Sequence, residues 1–232
     1  AHAKGVVAFD PVQKKGLYII HSAPKYPSIR NVSGVPLFNW TLPSSARIYG
    51  QHFYCHNLDE ILYEDVLQHL PILKPIVYHK QGVFKNMNLS STKPSLTNEI
   101  YASPNETLYL FSKNPNYQGF LYENIIQPYL SSDMTVESWG RPYMGPACTP
   151  NSKYNTLDTE VITFPNGDSW NHLSDHSKWG ITIGKNHPSI SCLCDMNRMA
   201  SQAKRGGGCM CSNNKVLYKA LSNIVKKSNT CP

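Results

Sequence analysis

Two stretches of the chain set an imidazole and an ammonium two residues apart. One is His176-Ser177-Lys178, inside Asp175–Trp179; the other is His2-Ala3-Lys4. In an extended backbone, residues two apart point to the same face, about 7 Å from one another. Aimed into one cleft, these groups suit phosphoryl transfer. An imidazole can attack phosphorus or protonate a leaving oxygen, and an ammonium neutralises charge on the non-bridging oxygens. Two copies would supply a nucleophile, a general acid and two cationic clamps.

Spacing alone is weak support, since in a chain with nine histidines about one His-x-Lys arises by chance, as a surface histidine near a solvated lysine. The residues downstream of each copy strengthen the pattern. After the first come an apolar stretch, a turn, a second apolar stretch and the polar tetrad His21-Ser22-Ala23-Pro24. After the second, the tetrad is Cys194-Asp195-Met196-Asn197, followed by Arg198. A hairpin would bring each tetrad back beside its own His-x-Lys. There its side chains could orient the histidine and donate to phosphate oxygens. Asp195 and Asn197 also fit a capped turn. Lys204-Arg205-Gly206-Gly207-Gly208 reads as a phosphate-facing loop with bare amides or as a flexible turn.

The elements that must position these groups are legible in outline. Gly5–Phe9 and Leu17–Ile20 form a hairpin. Residues 24–50 are rich in Pro, Ser, Asn and Gly and read as a long surface loop. Leu58–Leu70 has helical spacing, with Asp59 and Glu60 in its first turn and Pro71 as its stop. Ile76–Val83 reads as a strand, Thr107–Phe111 as another, and Phe120–Leu130 as helical despite Pro128. Asn166-Gly167 marks a turn, and Trp179–Ile183 is the strand after the second motif. Val216–Val225 is an amphipathic helix with Asn213 as its cap. Trp170 and Trp179 read as core.

Composition narrows the class. The 232 residues are 41% hydrophobic and 16% charged, enough to bury a core in one large domain or two small lobes. No apolar run approaches the ~20 residues needed to cross a bilayer. The net charge of +7 suits an anionic partner, nucleic acid first and an anionic membrane second, or serves solubility. Sequons at Asn31, Asn39, Asn88 and Asn105, together with seven cysteines, favour a secreted or lysosomal protein.

The cysteines are Cys55, Cys148, Cys192, Cys194, Cys209, Cys211 and Cys231. Nested pairing of Cys192 with Cys211 and Cys194 with Cys209 is what two antiparallel segments give. A zinc site is the weaker alternative, because paired zinc ligands are usually separated by two to four residues. Cys148 with Cys231 would then close the C-terminal region. Cys55 is left over, as a free thiol or a partner in an intermolecular bond.

The chain resembles deoxyribonuclease II. The matching stretches are Ala1–Phe9, Leu17–Pro27, Tyr49-Gly50-Gln51, Asp175–Trp179 and Asp195–Gly208, besides the cysteine positions. The resemblance implies a phospholipase-D-like α/β fold: a pseudo-two-fold pair of lobes, each a mixed sheet flanked by helices. Residues 1–110 would form the first lobe and 111–232 the second. It also implies an acid, metal-independent endonuclease without cofactor. Such an enzyme cuts double-stranded DNA to 3′-phosphate and 5′-hydroxyl ends through a phosphohistidine. Carried over, His2 and His176 are nucleophile and general acid, and Lys4 and Lys178 hold the phosphate. His21, Ser22, Asp195, Asn197, Arg198, Lys204 and Arg205 are the expected supporting set.

The chain departs from the family pattern in places. Phe9 and Ile183 stand where the wider superfamily has an Asp after its Lys, as the deoxyribonuclease II branch does. Cys194 and Cys209 replace small residues, which supports an extra disulfide beside the site. An N-terminal portion of the family precedes Ala1. Cys55 matches the cysteine that pairs with that portion, so the resemblance implies a disulfide-linked N-terminal chain or segment. The chain then reads as the larger part of a two-chain enzyme, or as a truncated form. A dimer of the two-chain unit is compatible with the resemblance. The competing classes are an inert secreted DNA-binding or toxin protein on the same fold, and a phospholipase; no membrane-binding stretch supports the last. If a metal were needed, carboxylate clusters should appear near the motifs, and Asp175 and Asp195 are the only nearby candidates.

Overall fold

The structure is a computed structural model that describes residues 1–33, 35–185 and 187–232. Its strands and helices, in order, are β1 (Gly5–Asp10), β2 (Lys15–His21), β3 (Ser28–Val32), β4 (Val35–Asn39), α1 (Ser44–Arg47), β5 (Phe53–Leu58), α2 (Glu60–Leu73), β6 (Ser95–Ser103) and β7 (Glu106–Lys113). A π-helical turn at Tyr122–Ile126 runs into α3 (Gln127–Leu130). Then come β8 (Asp133–Ser138), β9 (Thr156–Thr163), β10 (Ser169–Asn171), β11 (Lys178–Ile183), β12 (Ser191–Cys194), β13 (Gly207–Ser212), α4 (Lys215–Ile224) and β14 (Val225–Ser228).

Nine of the described strands form one sheet, in the order β10-β9-β8-β11-β12-β13-β7-β6, with β14 also on β9. Among the described strands, only the β8–β9 pairing is parallel. A smaller antiparallel sheet, β1-β2-β5, lies apart from it, and β3-β4 is a separate hairpin. The result is a mixed α/β architecture with few helices. Strands β6 and β7 join the large sheet through β13.

The helical stripe of α2 is what joins the two sheets. Leu62, Tyr63 and Val66 pack with Ile20 and Leu58 of the small sheet and with Leu108, Leu110 and Met210 of the large one. The turn Tyr122–Leu130 covers the large sheet over Met134, Val136 and the half-cystines. The opposite face carries Trp179, Ile181 and Leu193 against Leu217, Leu221 and Ile224 of α4.

Both hairpins expected after the His-x-Lys pairs form, as β1–β2 and β11–β12. Register puts Cys192 opposite Cys211 and Cys194 opposite Cys209, and both pairs are disulfides, as is Cys148–Cys231. Cys55 is an exposed free thiol on β5. The four sequon asparagines are exposed.

Four local expectations are corrected. Residues 24–50 hold the β3–β4 hairpin and the one-turn α1 rather than continuous loop; the polar composition hid a period-2 ribbon turned at Ser33, whose φ is 52°. Ile76–Val83 makes no strand. Ile76 and Tyr78 are exposed, and Gly82 takes a φ of 55° that breaks an extended run. Pro71 lies inside α2, which ends two residues later where Lys74 turns left-handed; so close to the end, a missing N–H costs little. The cap of α4 is Asn214, whose side chain accepts from Val216 and Leu217. Asn213 instead accepts from the Thr107 N–H.

Candidate active site

The first motif lies just before β1. Its His2 N–H donates to the Gly206 carbonyl at 2.8 Å, and Nδ1 lies 2.5 Å from the Asp195 carbonyl oxygen. A carbonyl only accepts, so Nδ1 carries the proton and Nε2 is left with its lone pair. The Asp195 carboxylate accepts from the Lys4 N–H at 3.2 Å and the Gly208 N–H at 3.3 Å. Lys4 Nζ donates to the His2 carbonyl at 2.9 Å.

The second motif repeats the arrangement from the other direction. Lys178 Nζ donates to the carbonyl of its own His176. Asp175 accepts from the Ser177 N–H at 2.7 Å and from Trp170 Nε1 at 3.2 Å. Residues 49–52 then clamp it. The His176 N–H donates to the Gly50 carbonyl at 2.8 Å, and the Lys178 N–H donates to His52 Nδ1 at 3.1 Å. The His176 ring stacks on Tyr49 at 4.2 Å and meets the edge of Trp139 at 5.5 Å.

The support is therefore crossed. The tetrad residue Asp195 hydrogen-bonds the first motif and acts on Lys178 of its own only electrostatically, while Tyr49, Gly50 and His52 from the early part of the chain hold the second. Each lysine acts electrostatically on the opposite motif: Lys178 on His2, Lys4 on His176, and Lys4 on Lys178. The two His-x-Lys pairs therefore lie within electrostatic reach of one another.

Burial and crowded positive charge set the protonation states. Burial first, then Lys4, pushes His2 down to about 3. The same two causes push His21 to about 4. Burial, then Lys178, takes His52 to about 3. Burial, then Lys4, lowers Lys178 to about 7. His176 is lowered by burial, then by Lys178, while Asp175 counteracts. Asp195 is raised to about 6 by burial, against its hydrogen bonds and Lys4. An anion entering the cleft would offset the crowded positive charge.

The remaining expected residues fall in different places. His21 is buried beside Lys4, its N–H on the Lys4 carbonyl, and neither ring nitrogen has a partner among the described residues. Ser22 Oγ donates to Gln51 and accepts from the His52 N–H, so it braces the 49–52 segment. Asn197 is buried, with its amide on Met199 Sδ at 3.8 Å. Arg198 does not face phosphate: its guanidinium is buried and consumed by Glu123, Asp158 and the Gly145 carbonyl. Lys204 and Arg205 are exposed, and Arg205 acts electrostatically on His2 and Lys4. Gly206–Gly208 is not an open phosphate cradle. It is buried, and a Cβ at Gly206 would sit 2.2 Å from the Leu73 carbonyl oxygen. Lys113, buried on β7, fixes this loop by donating to the Ala203 and Arg205 carbonyls at 2.8 Å.

The sequence carries no local mark of a role for His52, Trp139 or Glu137, and Tyr49 is marked only as part of the matching stretch Tyr49-Gly50-Gln51. Gly50 does carry a signal, because a tight approach demands glycine: a Cβ there would lie 2.7 Å from Asp175 Oδ1. Glu137 adds a third carboxylate near Lys178. It is fully buried, neither oxygen has a partner among the described residues, and burial raises it to about 9. No helix among the described residues is long and apolar enough to cross a membrane.

The family model of deoxyribonuclease II matches residues 1–231. Relatives include cell-death-related nuclease 7 of Caenorhabditis elegans, 27% identical over 99% of the chain and 64% of its own length. A putative deoxyribonuclease-2 of Burkholderia thailandensis is 31% identical over 95% of the chain and 63% of its own. Plancitoxin-1 of Acanthaster planci is 26% identical over 99% of the chain and 65% of its own. The chain thus spans less than two thirds of the length of each of these proteins.

Proposed function

The chain belongs to the deoxyribonuclease II family, and on that premise we propose that it is an acid, metal-independent endonuclease that cuts double-stranded DNA to 3′-phosphate and 5′-hydroxyl ends. What supports this reading is the proximity of the two His-x-Lys pairs, linked by the hydrogen bonds of His21 to the Lys4 carbonyl, of His52 to Ser22 and of Lys178 to His52.

The tautomers support a division of roles. His2 is neutral with its Nδ1 proton held by the Asp195 carbonyl, so Nε2 is the nucleophile. It forms a P–N bond as the bond from phosphorus to the 5′-oxygen breaks. His176 gives its proton to that oxygen, releasing a 5′-hydroxyl. His176, now neutral, takes a proton from water; the hydroxide attacks phosphorus, the P–N bond breaks, and a 3′-phosphate leaves. Lys4 and Lys178 neutralise the non-bridging oxygens throughout.

Cys55 is the proposed link to polypeptide outside this chain, and a pseudo-two-fold lobe pair is the proposed frame of the cleft. Secretion or a lysosomal location fits three disulfides and the exposed sequons. Variants His2→Ala and His176→Ala test the enzymatic reading. Both should retain DNA in a mobility-shift assay and lose cleavage. Unchanged cleavage by either variant would refute the mechanism, and DNA retention without cleavage by the unaltered protein would make it a binder.

A further inference from the structure

His2 is held at two points, and both are main-chain carbonyls. Gly206 accepts its N–H at 2.8 Å, and Asp195 accepts the Nδ1 proton at 2.5 Å. Asp195 lies just after β12 and Gly206 just before β13, so the two carbonyls sit at one end of a single antiparallel pair. There the Asp195 N–H donates to the Gly208 carbonyl at 2.9 Å. Between these residues the chain leaves the sheet and makes only a one-turn 3-10 helix at Ala200–Gln202. A carbonyl in such a stretch is only as fixed as the groups that tie it down.

Two side chains outside both motifs supply the ties. Lys113, the last residue of β7, donates from Nζ to the Ala203 and Arg205 carbonyls, both at 2.8 Å. Tyr122, in the π-helical turn, donates its hydroxyl to the Met196 carbonyl at 2.9 Å. Arg205 directly precedes Gly206, and Met196 directly follows Asp195. Each tie is therefore one residue from a carbonyl that holds His2. Lys113 is 0% and Tyr122 1% exposed, so neither reaches substrate. Among the described residues Lys113 has no carboxylate partner. Burying an ammonium or a hydroxyl costs stability that an apolar side chain would not. What these two groups add is the placement of carbonyls. The π-helical turn fits this, since such turns are frequent at functional sites.

We propose that Lys113 and Tyr122 are positioning residues for His2: Lys113 sets the carbonyl that holds its main chain, and Tyr122 sets the carbonyl that fixes its ring tautomer. This rests on the reading of His2 as the nucleophile. A nucleophile must present its lone pair at phosphorus, and a misplacement of about 1 Å can cost 10²-fold in rate. With the Tyr122 hydroxyl gone, the Asp195 carbonyl shifts and the Nδ1 proton loses its acceptor. With the Lys113 ammonium gone, the 203–206 stretch loosens and the His2 backbone moves with it.

The test uses Tyr122→Phe, which removes one oxygen, and Lys113→Met, which removes one charge. Activity per folded molecule is measured on duplex DNA and on bis(p-nitrophenyl) phosphate. Each variant should lose roughly tenfold or more in kcat on both substrates, as expected of a displaced nucleophile, with KM for DNA nearly unchanged. In ¹⁵N NMR of the histidine rings, His2 should be the Nδ1–H tautomer in the unaltered protein and a mixture in Tyr122→Phe. A loss confined to DNA would point to His176 instead and overturn the proposal. So would a lowered melting temperature with full activity per folded molecule and an unchanged His2 tautomer. Tyr122→Phe decides the matter alone if Lys113→Met does not fold. The NMR measurement also separates the two readings. If the unaltered protein hydrolyses neither substrate, the nuclease reading fails, and the tautomer change in Tyr122→Phe still shows whether the hydroxyl positions His2.

Discussion

At the residue scale, the two histidines differ in ways that fit the different roles proposed for them. His2 is neutral above about 3, and its Nδ1 proton is held by a main-chain carbonyl. His176 is lowered less drastically and must be protonated to act as an acid. A nucleophile is active above its pKa and a general acid below its own. The profile of kcat/KM should therefore be a bell, with its acid limb near 3 and its alkaline limb below the ordinary 6.5 of histidine. Lys178, lowered to about 7, steepens the alkaline loss as its charge disappears. The roles also separate by leaving group. His176→Ala should lose roughly 10²- to 10⁴-fold on DNA but far less on a p-nitrophenyl ester, whose leaving group needs no proton. His2→Ala should lose both. Equal losses for the two substrates in His176→Ala would remove it from the acid role.

At the element scale, the site depends on segments that cross between the motifs. Gly50 is the contact point of the 49–52 segment, and its missing Cβ makes room for Asp175. Gly50→Ala should push the segment off β11, releasing Tyr49 from His176 and His52 from Lys178. Cleavage should fall by more than tenfold while the melting temperature shifts little; a fully active variant would show that the clamp is dispensable. The inner disulfide is expected to matter less than its position suggests. An isolated loop of 15 residues gains ~3 kcal/mol from a cross-link. Here Cys192–Cys211 already closes that loop from outside. Replacing Cys194 and Cys209 together by Ala should cost well under that figure in chemical denaturation.

Much of this scale is legible in the sequence, and the limits have physical causes. The hairpins after the motifs and the nested cysteines are readable because antiparallel pairing imposes a mirror register on local sequence. Gly206–Gly208 read as a phosphate-facing loop or a flexible turn, and Arg198 as a supporting or phosphate-binding residue; the glycines pack against a carbonyl and the arginine is held by carboxylates. A glycine run looks the same whether it opens a loop or admits a neighbouring carbonyl, and an arginine carries no mark of its partners Glu123 and Asp158. The crossing of supports is invisible for a related reason: nothing local in Tyr49–His52 says that it packs 126 residues away against Lys178.

At the scale of the whole molecule, buried neutral histidines set acid stability. His2, His21, His52 and His69 are all lowered by burial, to about 3, 4, 3 and 4. The unfolded chain binds those protons near 6.5, so stability falls as pH drops from about 6.5 toward those values. Asp195, Glu123 and Glu137 are raised and act in the opposite sense, their contribution being lost as pH rises, but they are fewer. Net acid destabilisation should therefore appear as a falling melting temperature below pH ~6.5. His69→Gln isolates one share of it: His69 lies on α2 against Ser112, outside the cleft. That variant should flatten the pH dependence and leave cleavage unchanged. An unaltered slope would mean that His69 titrates normally.

The central claim is that two histidines, with no metal, cut DNA in this cleft. The most direct measurement is plasmid cleavage at about pH 5 in excess chelator, with analysis of the ends produced. The expected result is undiminished cleavage that leaves 3′-phosphate and 5′-hydroxyl termini. Cleavage abolished by the chelator, or 5′-phosphate ends, would contradict it.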